Sequence, residues 1–197
     1  MRRLLLIAIA TAVFLTLAGC DETGDELGPT YDYMPLDTGL RWDYEWGLAD
    51  GDDLSLEVSA RDGGDWTVEQ TIGDDVENQT WVHTSGGELQ VTRPGRQNHR
   101  VILKTPISVG TDWTYLDDDG INWIGRIVDI NASFDLPAGS YQDLVMVALH
   151  PDYEGWTDYM YKENLWFAEG VGLVRVAIDD DDEDYNSDYL WELGAVQ

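Results

Sequence analysis

Trp42-Asp43-Tyr44-Glu45-Trp46-Gly47-Leu48 is followed, after an Asp50-Gly51-Asp52 link, by Leu54-Ser55-Leu56-Glu57-Val58-Ser59-Ala60. Trp42, Tyr44, Trp46 and Leu48 alternate with Arg41, Asp43, Glu45 and Gly47. Leu54, Leu56, Val58 and Ala60 alternate with Ser55, Glu57 and Ser59. Successive side chains of a strand point to opposite faces, so a period of two gathers each apolar set on one side. Gly and Asp between the two runs supply turn chemistry. The pair therefore predicts an antiparallel hairpin with one buried and one solvated face.

The same pattern spreads outward from this hairpin. Trp66, Val68 and Gln70 read as a third strand, Trp81 and Val82 as a fourth, and Leu89 and Val91 as a fifth. The turns between them are Asp62-Gly63-Gly64, Gly73-Asp74 and Ser85-Gly86-Gly87. Further strands are expected at 101–104, 113–116, 122–134, 144–149, 157–162, 165–167, 172–178 and 189–193, with 122–134 long enough to bend across two sheets. Pro137-Ala138-Gly139-Ser140 is expected to carry a single helical turn; no other segment past the N-terminal leader has helical periodicity. Short strands at even spacing with Gly/Asp turns predict an all-β fold. Its antiparallel meander would form a barrel, a half-barrel or a strongly curved sheet, with little helix outside the leader.

The first 20 residues have a separate logic. Arg2 and Arg3 precede an apolar run, residues 4–18, that ends in Leu17-Ala18-Gly19-Cys20. This is the layout of a secretory signal peptide, and it is shorter than the roughly 20 apolar residues of a spanning helix. The final four residues resemble the lipobox of bacterial lipoproteins. That resemblance implies cleavage before Cys20, diacylation of its thiol and usually acylation of the new amine. Two or three acyl chains anchor stably, whereas one holds only marginally. Cys20 is the only cysteine, so no disulfide is expected. Residues 1–19 are then the signal peptide, 20–30 the lipidated Cys with an acidic tether, and 31–197 a single β domain. Asp21 resembles the inner-membrane retention signal of enteric bacteria; inner and outer membranes both stay open.

One internal repeat is visible. Residues 35–44 (Pro35-Leu36-Asp37-Thr38-Gly39-Leu40-Arg41-Trp42-Asp43-Tyr44) align with 106–115 (Pro106-Ile107-Ser108-Val109-Gly110-Thr111-Asp112-Trp113-Thr114-Tyr115). Pro fixes φ, Gly allows a positive-φ turn, and Trp and Tyr two residues apart begin a strand on one face. The motif reads as a turn-into-strand device used twice, or as paired aromatic ligand platforms.

Tyr33-Met34-Pro35-Leu36 with Gly39 and Trp42-Asp43-Tyr44 resembles a group of uncharacterised secreted bacterial lipoproteins. So do Leu136-Pro137-Ala138-Gly139-Ser140-Tyr141-Gln142-Asp143 and Leu165-Trp166-Phe167-Ala168-Glu169-Gly170-Val171-Gly172-Leu173-Val174. The resemblance runs in islands over most of 31–193. It implies that the last segment is a strand, a Gly-containing turn and a returning strand, and it brings no catalytic residues.

Charge narrows the partners. The chain carries 11 basic and 39 acidic residues, a net of −28. Such a surface repels nucleic acid and anionic headgroups, so DNA and RNA binding are excluded. The Asp-rich, Lys-poor balance reads as cation capture or as solubility, and it resembles that of proteins from salt-adapted organisms. Arg93, Arg96, Arg100 and Lys104, with His99 among them, form the one basic cluster. They read as a patch for an anionic ligand or partner, or as pairing partners for neighbouring acidic loops.

Reactive chemistry is sparse. No Gly-x-Ser-x-Gly elbow or Ser-x-x-Lys occurs, and His83, His99 and His150 have no metal-ligand spacing. Asp117-Asp118-Asp119-Gly120 and Asp50-Gly51-Asp52-Asp53 could collect calcium weakly but depart from the EF-hand register and make good turns. The run 179–184 reads as a solvated acidic loop. No cofactor is expected. Trp42, Tyr44, Trp46, Trp66, Trp113 and Trp123 fit a core, while Trp156, Tyr159 and Tyr161 are the better candidates for ligand contact.

Together these features predict a lipid-anchored envelope protein facing the periplasm or exterior. Its expected role is a non-enzymatic binding or envelope-support module. One alternative is a carrier of a lipid or other apolar molecule in a curved sheet, which calls for an apolar cavity of several hundred Å³. The other is a hydrolase of envelope polymers, which calls for an acid pair of shifted pKa in a cleft.

Overall fold

Alternation becomes burial in the first strand: Trp42 and Tyr44 are inaccessible to solvent, and Glu45 beside them is exposed. The computed structural model describes residues 30–48, 51–152, 162–179 and 189–197. Among the described residues a short 3₁₀ turn, Tyr31–Tyr33, precedes twelve strands. These are β1 (Arg41–Trp46), β2 (Leu54–Asp62), β3 (Asp65–Ile72), β4 (Asp75–His83), β5 (Glu88–Thr92) and β6 (Arg100–Lys104). They continue as β7 (Asp112–Leu116), β8 (Asn122–Leu136), β9 (Gly139–Pro151), β10 (Lys162–Ala168), β11 (Gly172–Asp179) and β12 (Tyr189–Val196).

All twelve belong to one antiparallel sheet in the order β6-β5-β4-β3-β2-β1-β12-β11-β10-β9-β8-β7. The protein is thus two six-stranded meanders, β1–β6 and β7–β12, joined where β1 pairs with β12. Strand twist curls the sheet until its outer strands, β6 and β7, approach each other. The result is a nearly closed barrel, which leaves little edge open to pairing with other chains. Among the described residues no helix is long and apolar enough to cross a membrane.

The repeated motif opens each meander with one device. Gly39 and Gly110 hold φ of +90° and +89°, a region that disfavours residues with a Cβ. The Gly39 N–H donates to Val58 O at 2.7 Å and the Gly110 N–H to Ile127 O at 2.9 Å. In return Leu40 O and Thr111 O each accept from that partner's N–H at 2.9 Å. Further on, the Trp42 indole N–H donates to Val171 O and that of Trp113 to Val101 O, at 2.7 and 3.0 Å. Both indoles are buried, which corrects the reading of the pair as ligand platforms.

Local equivalence does not carry through to pairing. Strand β1 is paired on both sides, whereas β7 is paired with β8 alone. At the β6–β7 seam the Trp113 indole bridges the gap with its bond to Val101 O. It lies over Gly125, its register partner on β8, where any Cβ would collide with the ring.

Residues 30–36 close one end of the barrel. Thr30, Met34 and Leu36 are fully buried, so Thr30 belongs to the packed body rather than to the tether. The His83 Nε2–H donates to Met34 O at 2.8 Å, and His83 Nδ1 accepts from the Thr30 hydroxyl at 2.8 Å. Since a carbonyl only accepts, this pair of bonds selects the neutral tautomer protonated on Nε2. Burial lowers the His83 pKa from 6.5 to about 4, against an opposing contribution from the bond to Met34.

Four expectations need correction. Residues 137–140 form no helical turn: Leu136 pairs with Gly139, leaving Pro137 and Ala138 as a tight hairpin turn. The Ala138 N–H then donates to Leu193 O at 2.8 Å, and Phe134 meets Trp166 edge-on. The far half of the β8–β9 hairpin therefore packs across the outside of the barrel. Strand β9 starts at Gly139 instead of 144 because the hairpin ladder runs to that turn. Ala60 is exposed because the ladder shifts register after Val58. Leu48 lies past the end of β1 and is 39% exposed.

Candidate functional site

The end of the barrel opposite the plug encloses a cavity of about 520 Å³. Its wall is built by inward-facing residues of strands around the barrel, among them Leu56 on β2, Trp81 on β4, Ile102 on β6, Leu165 on β10, Val176 on β11 and Trp191 on β12. The volume falls within the roughly 300–1,000 Å³ of small-molecule pockets.

The indoles that face this space have their N–H groups engaged elsewhere. Trp81 Nε1 donates to Gln79 Oε1 at 3.0 Å, Trp191 Nε1 to Asp52 O at 3.0 Å and Trp123 Nε1 to Asp117 Oδ2 at 2.9 Å. They offer the cavity apolar ring surface. Polar side chains in the wall are also internally paired. The Gln79 amide nitrogen donates to Gln70 and, at 3.2 Å, to Glu77. Glu163, only 5% exposed, forms an ion pair with Arg100 from β6.

The rim beside the seam carries charged groups where the turns after β5 and β7 meet. Arg96 N–H donates to Arg93 O at 3.1 Å, making a tight turn. Asp118 Oδ1 accepts the Gln97 and Asn98 N–H groups at 2.9 and 3.0 Å, and Asn98 Nδ2 donates to Asp117 O at 3.0 Å. Asp117 Oδ1 accepts from the N–H groups of Asp119 and Ile121. These backbone bonds, that from Gln97 first, hold the Asp118 carboxyl below its usual range, assisted by Arg96. The aspartates brace one turn against the other, the structural use that their turn-like sequence also allows.

The structure divides the sequence-predicted site residues. Arg93, Arg96 and Arg100 line the cavity with His99, whereas Lys104 lies at the far end of β6, paired with Glu88 at 2.8 Å. Each member of the cluster has an acidic neighbour: Glu77 at 3.6 Å from Arg93, Asp118 and Asp119 at 4.0 and 3.8 Å from Arg96, and Glu163 against Arg100. His83 belongs to the plug, and His150 lies half-buried on β9. Trp46 and Trp123, expected in the core, are half-buried. Cys20, Trp156, Tyr159 and Tyr161 lie outside the described residues, as do Asp50 and 180–184 of the acidic run. Among the described residues no group of three or more His, Cys, Asp or Glu is arranged to hold a metal ion.

The sequence reading overlooked Gln70, Gln79 and Glu163 as cavity residues. A signal was present, since each is a polar residue in the inward register of its strand.

No family model matches the chain, and no curated protein is significantly similar to it. Two solved structures are similar. One is a "putative exported protein with YmcC-like fold" from Bacteroides fragilis, 10% identical, with a TM-score of 0.56 over 84% of this chain and 98% of that one. The other is a "putative lipoprotein" from Parabacteroides distasonis, 15% identical, with a TM-score of 0.47 and the same coverage. At such identity the first shares the fold alone.

Proposed function

We propose that this chain is an exported lipoprotein, anchored in the cell envelope through Cys20, that holds one apolar small molecule in the cavity of its barrel and performs no chemistry on it. The single observation that carries the reading is the cavity of about 520 Å³ walled by aliphatic side chains and indoles whose N–H groups are already bonded. A purely supporting module needs no such space. The hydrolase reading calls for a carboxyl poised as a proton donor. At this rim Asp118 is instead held in its charged form by backbone N–H groups.

The test is direct. Protein purified from its own cells is extracted with organic solvent, and co-purifying molecules are identified by mass spectrometry. The same is done for Val176→Trp, which sets an indole into the cavity. The reading expects a lipid-like species at near-equal molar ratio in the native protein and its loss from the variant. An empty native protein that also fails to take up a neutral apolar fluorophore refutes it. Anchoring is tested separately: Cys20→Ser is expected to leave the membrane fraction after alkaline carbonate washing, and retention there would overturn it.

A further inference from the structure

We infer that the cavity's occupant is an amphiphile with an anionic head group, seated with its chain against the barrel wall and its head between Arg93 and Arg96. This rests on the cavity being a ligand site, and it adds the chemistry that would select the ligand.

The charged groups of the rim differ in how far they are already engaged. Asp117 Oδ1 and Asp118 Oδ1 each accept two backbone N–H bonds that hold the turns, while Asp119, 3.8 Å from Arg96, is an exposed carboxylate of the same rim. Arg100 is neutralised through Nη2 by the buried Glu163, although its buried Nε–H has no partner among the described residues. Arg93 and Arg96 differ. Their acidic neighbours stand 3.6–4.0 Å away, beyond good hydrogen-bond length, and both side chains are at least half exposed. A guanidinium carries five N–H donors in a planar fork, so a loose contact on one edge leaves the others for a carboxylate or phosphate.

Position supports the same assignment. Both arginines line the cavity where it reaches the surface, with Val91 and Ile102 below them on the adjoining strands. The backbone of their turn is pinned by Asp118 at Gln97 and Asn98, so little backbone ordering is left for binding. On a protein of net charge −28, this rim sets Arg93 and Arg96 beside Asp117, Asp118 and Asp119, so a negative head group is recognised by the guanidinium N–H donors rather than by net local charge. A chain-bearing anion gains apolar burial and charge-assisted bonds at once, which neither an alcohol nor a soluble anion can do.

The experiment measures displacement of the neutral fluorophore N-phenyl-1-naphthylamine from the purified protein in detergent-free buffer. The competitors share one chain and differ in head: dodecanoate, dodecyl phosphate, dodecanol and dodecyltrimethylammonium. The native protein is expected to bind at least one of the two anions about tenfold or more tightly than the alcohol, the scale of a charge-assisted bond. The ranking of carboxylate against phosphate identifies the source of the head group. In Arg93→Gln/Arg96→Gln the anionic preference is expected to vanish while fluorophore and dodecanol binding persist, which also shows that the variant is folded. Equal binding of alcohol and anions by native protein, tightest binding of the cation, or a preference that survives in the double variant each overturns the inference. If the fluorophore does not bind native protein, or binds Val176→Trp equally well, the cavity reading itself fails.

Discussion

Replacing His83 by Gln tests how the N-terminal plug is held. Gln can still donate to Met34 O and accept from the Thr30 hydroxyl, but it does not titrate. In the native protein burial lowers the His83 pKa from 6.5 to about 4, so folding favours the neutral ring. An unfolded chain takes up the proton first as pH falls. The stabilisation is therefore complete above about pH 6.5 and is lost on descending through pH 4. At roughly 1.4 kcal/mol per pH unit the loss between pH 7 and 4 is about 3 kcal/mol. Urea unfolding across that range should show the native protein losing about 3 kcal/mol more than His83→Gln. Carboxylates that titrate at low pH, Glu88 and Asp118 among them, act on both proteins and cancel in the difference. Tyr31 and Trp66 meet the imidazole edge-on and carry no charge at these pH values, so neither disturbs the comparison. Parallel pH profiles for the two proteins would refute the assignment of a buried neutral imidazole clamped between Thr30 and Met34.

Three further outcomes follow from the repeat, the seam and the rim. Gly39→Ala and Gly110→Ala should each cost about 1–2 kcal/mol in urea unfolding, because both force a Cβ into positive φ; a neutral substitution at either site would break the equivalence of the two motifs. Gly125→Val should cost about 1–3 kcal/mol or more by driving the Trp113 ring off β8, with a change in tryptophan fluorescence; unchanged stability would mean that the ring is not held there. Asp118→Ala should speed hydrogen exchange at the Gln97 and Asn98 amides while leaving the Trp81–Val91 ladder protected, and unchanged exchange at those two amides would show that Asp118 does not brace the turns.

Much of the barrel could be read along the chain because each strand is buried on one face. Trp42 with Tyr44, Leu54 with Leu56, and Trp66 with Val68 all announce an inward face two residues at a time. The errors cluster where a strand departs from simple alternation. The register shift after Val58 turns Ala60 outward, and the β8–β9 hairpin crosses three such shifts before folding over Trp166. Its turn at Pro137-Ala138 is short, and residues on both sides are held by the ladder rather than by local helical bonds.

Period-two patterning and turn residues were enough to specify an antiparallel all-β body, and the offset repeat marked where each meander begins, since these properties depend on neighbours within a few positions. The pairing of β1 with β12, the Arg100–Glu163 bond and the meeting of the Arg93–Arg96 turn with Asp117 and Asp118 were decided by closure of the sheet. Closure depends on twist accumulated over twelve strands. The cavity has the same origin: its wall residues look like ordinary core positions in sequence, and they enclose space because the closing sheet sets them around a common interior, with residues 30–36 packed at the other end of the barrel.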